Sequence, residues 1–156
     1  MNGMEWKMEA YHYTECGLDN VLIEGMVPCK DDEGDDVCTI PNVLGLHRVI
    51  AESIVEREAS MTGAELRFIR TEMGMTQAQL AKVVHHDSQS VGRWERNEFA
   101  IDQTAEALIR LLAIEQLDLN IDGKTVSQLS ERCIPSASSK QIVIDGRDPS
   151  HYKQAA

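Results

Sequence analysis

TQAQLAKVVHHDSQSVGRWERNE, residues 76–98, reads as two short helices and the turn between them. Thr76 is a helix-capping residue type, and Gln77 falls in the first turn that follows, where an amide can reach a phosphate. Ala78, Leu80, Ala81 and Val84 recur at helical spacing and predict a buried stripe. His85-His86-Asp87 is a polar break, after which Asp87 or Ser88 can cap a second helix. The apolar residues of that helix are only Val91 and Trp94, and its other faces carry Ser88, Gln89, Ser90 and Arg93. Gln on adenine and Arg on guanine are the bidentate contacts that the geometry of a DNA major groove rewards. Arg96 adds a second guanidinium, and Asn97 stands where a left-handed helix end favours Gly or Asn. The candidate DNA contacts are therefore Gln77, Ser88, Gln89, Ser90, Arg93, Arg96 and Asn97.

Extended on both sides, the stretch belongs to an ordered set: Leu66, Arg67, Arg70, Gly74, Thr76, Gln77, Leu80, Ala81, Val91, Trp94 and Glu95. Residues 64–115 carrying this set, about a third of the chain, resemble the lambda-repressor-like, Xre-type helix-turn-helix family. The resemblance implies a five-helix DNA-binding domain and a transcriptional repressor. One helix reads only a few base pairs, so a homodimer on an inverted repeat of double-stranded DNA is expected. One residue departs from the pattern. His85 stands where the family has a turn glycine, and histidine is among the side chains more tolerant of positive φ.

The charge looks wrong for a DNA binder until it is divided. The 156-residue chain carries a net charge of −11. Residues 1–60 hold 13 Asp/Glu against 4 Lys/Arg, residues 61–115 hold 8 against 6, and residues 116–156 hold 5 of each. Non-specific affinity for DNA comes from Lys and Arg neutralising phosphates, so that term is weak here and base contacts must carry more. The acidic front suits a basic partner or simply favours solubility. No apolar run approaches the ~20 residues of a membrane span, and the start, MNGMEWKMEA, lacks the apolar centre of a signal peptide. A cytoplasmic protein is expected.

Outward from the central unit, three regions emerge: residues 1–60, 61–115 and 116–156. Residues 11–40 read as short strands and turns, with Val21-Leu22-Ile23 as an apolar run and residues 30–36 as a solvated acidic loop. Residues 41–57 predict a helix that starts near Pro41, with Leu44, Val49, Ile50, Ile54 and Val55 on its apolar face. Thr62 caps the next helix. Residues 101–116 predict another, with Leu108, Leu111, Leu112 and Ile114 inward. Beyond a Ser-rich linker, residues 141–146 read as one strand, which must pair with its copy in a dimer or with the N-terminal strands. The expected fold class is mainly α, with a small α+β N-terminal domain and a C-terminal strand.

Four cysteines, Cys16, Cys29, Cys38 and Cys133, show no Cys-x-x-Cys pair of the kind structural zinc favours. Cys16-Gly17 looks like the second half of a Cys-x-x-Cys-Gly knuckle whose first cysteine is Tyr13. Residues 46–54 resemble the second knuckle region of MqsA-like, YgiT-type antitoxins, with His47 and Ile50 at the two cysteine positions. In that architecture, shared in outline with HigA-like antitoxins, an N-terminal domain precedes an Xre-type unit. The resemblance implies a repressor that also neutralises a basic toxin through residues 1–60. Because the knuckles are degenerate, no cofactor is expected. Zinc, if bound, would draw on Cys16, Cys29, Cys38, His47 and His12.

No glycine-rich phosphate loop or Ser nucleophile elbow is present, and a Cys with a distant His is too permissive a match to suggest catalysis. The protein is not expected to be an enzyme. Two further readings stay open. One is a phage-like or metabolic repressor without a toxin. The other is a protein-interaction module whose helix-turn-helix no longer binds DNA.

Overall fold

The computed structural model describes residues 10–25, 29–30, 36–37, 40–121, 126–134 and 141–155, with only the backbone at 29–30, 36–37, 126–127 and 130. Among the described residues six α-helices run in chain order: α1 (Val43–Glu56), α2 (Gly63–Glu72), α3 (Gln77–Val83), α4 (Ser88–Glu95), α5 (Gln103–Gln116) and α6 (Val126–Arg132). The expected unit at 61–115 thus contains four helices, not five. Both α1 and α6, from outside that range, pack on α5.

Local chemistry explains where the helices begin. Thr62 and Thr76 each form a capping box: their hydroxyls accept from the amides of Glu65 (3.2 Å) and Gln79 (3.1 Å), whose side chains accept in return from the cap amides. Asp87 accepts from the Ser90 amide at 2.7 Å and Asp102 from the Ala105 amide at 3.0 Å. Each cap satisfies a donor that the first helical turn leaves free. Pro41 lies just before the cap of α1, which is Asn42. The non-glycine residues with positive φ among those described are Asn42, His85, Asn97 and Asp118, all types that tolerate the left-handed region. His85, at φ 59°, does what the turn glycine of the resembled pattern would do.

Four strands among the described residues form the main sheet: β1 (Tyr11–His12), β2 (Val21–Glu24), β5 (Ile142–Asp145) and β6 (Lys153–Gln154), in the order β1-β2-β5-β6. A separate hairpin pairs β3 (Cys29–Lys30) with β4 (Asp36–Val37), and residues 31–35 of the expected acidic loop lie outside the described residues. β2 and β5 are parallel, with Val21 opposite Ile142 and Ile23 opposite Ile144. All four of those residues are buried and join α1 and the helix-turn-helix helices in one cluster. Of the two partners open to the C-terminal strand, it takes the N-terminal strands. Residues 1–60 therefore contain half of a sheet whose other half comes from 141–155.

Three apolar residues expected inside are outside. Leu44 is 83% exposed, Leu108 sits on the outer side of α5, and Ala78 is exposed on α3. For α5 the cause is a buried ion pair. Glu106 and Arg110, one helical turn apart and both fully buried, share the inner face with Ala105, Ile109 and Ala113, which rotates Leu108 outward. Arg110 donates to Glu106 at 2.7 Å and to the carbonyls of Val55 (2.9 Å), Arg57 (2.6 Å) and Ala59 (2.8 Å). Glu106 in turn accepts from the Ser60 hydroxyl and from the Met61 amide at 3.1 Å. The pair therefore satisfies the unwound end of α1 and the linker into α2. Nearby, Arg57 forks onto Glu65, the capping-box residue of α2.

Removing one member of such a pair leaves a buried charge unpaired. Arg110→Met is expected to lower unfolding free energy by about 3–5 kcal/mol. Urea denaturation checks this, and a loss under about 1 kcal/mol would mean that the pair contributes like a surface one.

Candidate nucleic-acid interface

The placement of α4 is set by Glu95 at its C-terminal end. Arg70 of α2 grips that carboxylate with two bonds, Nε to Oε2 at 2.6 Å and Nη2 to Oε1 at 3.0 Å. Its remaining nitrogen donates to the Met75 carbonyl at 2.9 Å, fixing the turn into α3. Gln77, first residue of α3, donates to Glu95 Oε1 at 3.1 Å. Three helices thus converge on one carboxylate. Backbone contact closes the arrangement: a Cβ on Gly63 would lie 2.3 Å from the Glu95 carbonyl oxygen, so only glycine fits at the start of α2.

Val91 and Trp94 turn inward from α4. His86 packs edge-on against Trp94 with ring centroids 4.9 Å apart, anchoring the turn that His85 begins. The opposite side faces outward. Gln77, Ser88, Gln89, Arg93 and Arg96 line one open concavity with Gly92 at its floor, and these are five of the seven candidate contacts. The other two stand apart. Ser90 is half-buried within the first turn of α4. Asn97 is in the left-handed region at φ 60°, as the sequence suggests, but its side-chain oxygen accepts from the Gly63 amide at 2.9 Å. It caps α2, 34 residues earlier in the chain, and that partner is invisible to a local reading.

Charge on this face is modest. Arg70 and Arg110 are engaged inside, leaving Arg67, Lys82, Arg93 and Arg96 exposed in the helix-turn-helix segment. Arg96 donates to Glu98 at 2.6 Å. Arg93 lies over the ring of Phe99, 5.7 Å from its centroid, and makes no ion pair among the described residues. The Ser90 amide holds the Asp87 carboxyl below its ordinary pKa. That cap is therefore complete at neutral pH and is lost only as pH falls through the lowered value.

Residues 66–115 match the helix-turn-helix family model, a segment that includes all of α3 and α4. They form a DNA-binding helix-turn-helix of the kind found in transcriptional regulators. No curated protein and no solved structure matches the chain. Among the described residues no helix is long and apolar enough to cross a membrane.

Among the described residues, no group of three His, Cys, Asp or Glu side chains could hold a metal ion. Cys38 and the side chain of Cys29 lie outside them. His47 faces Tyr13 Oη at 2.7 Å from Nε2 and Glu72 Oε1 at 3.2 Å from Nδ1, so both ring nitrogens already have partners. Burial pushes the Tyr13 hydroxyl up to about 12, which keeps it protonated beside His47. His12 donates from Nε2 to the Asp19 carbonyl at 2.6 Å. Burial raises the Cys16 thiol and pushes Cys133 up to about 11, disfavouring the thiolates that metal binding and nucleophilic attack require. Elemental analysis of the purified protein should accordingly find no stoichiometric zinc. About one zinc per chain, lost in Cys16→Ser or His47→Ala, would restore the structural-zinc reading.

Proposed function

We propose that this protein is a sequence-specific transcriptional repressor that binds an inverted-repeat operator as a homodimer. The observation that carries this reading is the outward face of α4: Ser88, Gln89 and Arg93, with Gln77 and Arg96 beside them, around one concavity. An α-helix fits the major groove, and amide and guanidinium side chains are the groups that discriminate its base edges. Gln77 and Arg96 are assigned to the phosphates. In a dimer, two such helices would meet half-sites about 34 Å apart, one turn of DNA.

With few exposed cations, the non-specific term is small, and sequence preference rests on the few base contacts. Selection of duplexes from a random pool, followed by shift assays, tests this. Arg93→Ala is expected to cost about 1–3 kcal/mol per half-site and to relax preference at one base position. Gln77→Ala should weaken binding evenly across sequences. If Arg93→Ala altered neither affinity nor preference, the assigned docking of α4 would be wrong, and a protein-interaction module would become the better reading.

The finer role we assign is that of antitoxin and autoregulator of a toxin–antitoxin operon. Its support is the concentration of charge: residues 1–60 hold 9 of the 11 net negative charges, which suits a basic partner. Because β2 pairs with β5, the test uses the full chain and not residues 1–60 alone. Co-expressed with the product of the adjacent gene, it should co-purify, with association that slows as salt rises. Failure to bind that product at low salt would leave a repressor without a toxin.

A further inference from the structure

Phe99 is 61% exposed, a large aromatic side chain with little part in the core. It follows α4 directly. The Glu98 amide closes that helix by donating to the Arg93 carbonyl at 2.9 Å, and the left-handed Asn97 turns the chain back along it. This return brings the Phe99 ring against the Arg93 guanidinium, 5.7 Å from its carbon to the ring centroid. The two exposed arginines of the interface are thus held in different ways. Arg96 gives its Nε–H to the Glu98 carboxylate, an edge contact. A ring beside a guanidinium attracts its positive charge through the π quadrupole without an acceptor atom that would occupy the in-plane N–H groups. Those in-plane donors are the ones that a guanine edge takes.

We infer that Phe99 is a positioning residue for Arg93, holding the guanidinium by a cation–π contact so that its N–H fork is presented to one base of the operator. The inference rests on the DNA-binding reading above and adds to it a residue outside the recognition helix. Arg93 is flexible by nature, and an aromatic partner beside it reduces the ordering that binding must impose.

The test uses the full chain and the duplex that it selects from a random pool. Phe99→Ala should weaken binding about 2- to 5-fold per half-site, the range expected of an exposed cation–π contact. It should also flatten preference at the same base position that Arg93→Ala affects. Phe99→Tyr keeps the ring face and should restore both, whereas Phe99→Leu should not. In an Arg93→Ala background, Phe99→Ala should have no further effect, and its thermal midpoint should match that of the parent because the side chain is exposed. A Phe99→Ala variant with unchanged affinity and preference would overturn the inference while leaving the DNA reading intact. An equal loss in the Arg93→Ala background would overturn it too, making Phe99 a direct DNA contact. A wild-type chain that selects no sequence would remove the DNA reading, and this inference with it.

Discussion

Glu95 is the point on which the interface depends. One carboxylate, 5% exposed, accepts two bonds from Arg70 and a third from Gln77, so the orientation of α4 is fixed by groups on α2 and α3. A planar guanidinium that grips both carboxylate oxygens constrains direction as well as distance, which a lysine could not do. Gly63 permits the close approach: a Cβ there would strike the α4 backbone. Recognition of bases tolerates little angular error, so rigidity behind the helix is a condition of the polar face in front of it.

Behind that unit, a second buried ion pair ties the rest of the molecule to it. Glu106 and Arg110 collect the carbonyls and amides of the segment between α1 and α2, and α1 in turn packs on β5. A charge is costly to bury unless every partner is supplied, and here the Arg110 donors and both Glu106 oxygens have one. The end of α1 and the segment that leads into α2 are thus joined to α5 of the DNA-binding unit by buried polar contacts.

The legible features were those that local chemistry decides. Thr62, Thr76 and Asp87 announce helix starts by side-chain type, and Asn97 and His85 announce left-handed turns. The outward face of α4 was legible because its apolar residues are so few. What escaped depends on partners distant in the chain. Nothing near Asn97 shows that it caps Gly63, and nothing near Arg110 shows that three carbonyls await it. Arginine is normally solvated, so periodicity alone runs the apolar stripe of α5 through Leu108 instead. The seven residues of α6 offer too short a pattern to detect, and a strand such as β5 shows its own character but not which edge it joins.

The central claim is that the face of α4 lies against DNA. Hydrogen exchange of the full chain, followed residue by residue with and without a saturating amount of its selected duplex, tests it most directly. The account predicts slowed exchange concentrated in the turn before α4 and along that helix, with the start of α3 included and the sheet unchanged. Slowing confined to the sheet or α1, or no change at α4 under saturation, would contradict it.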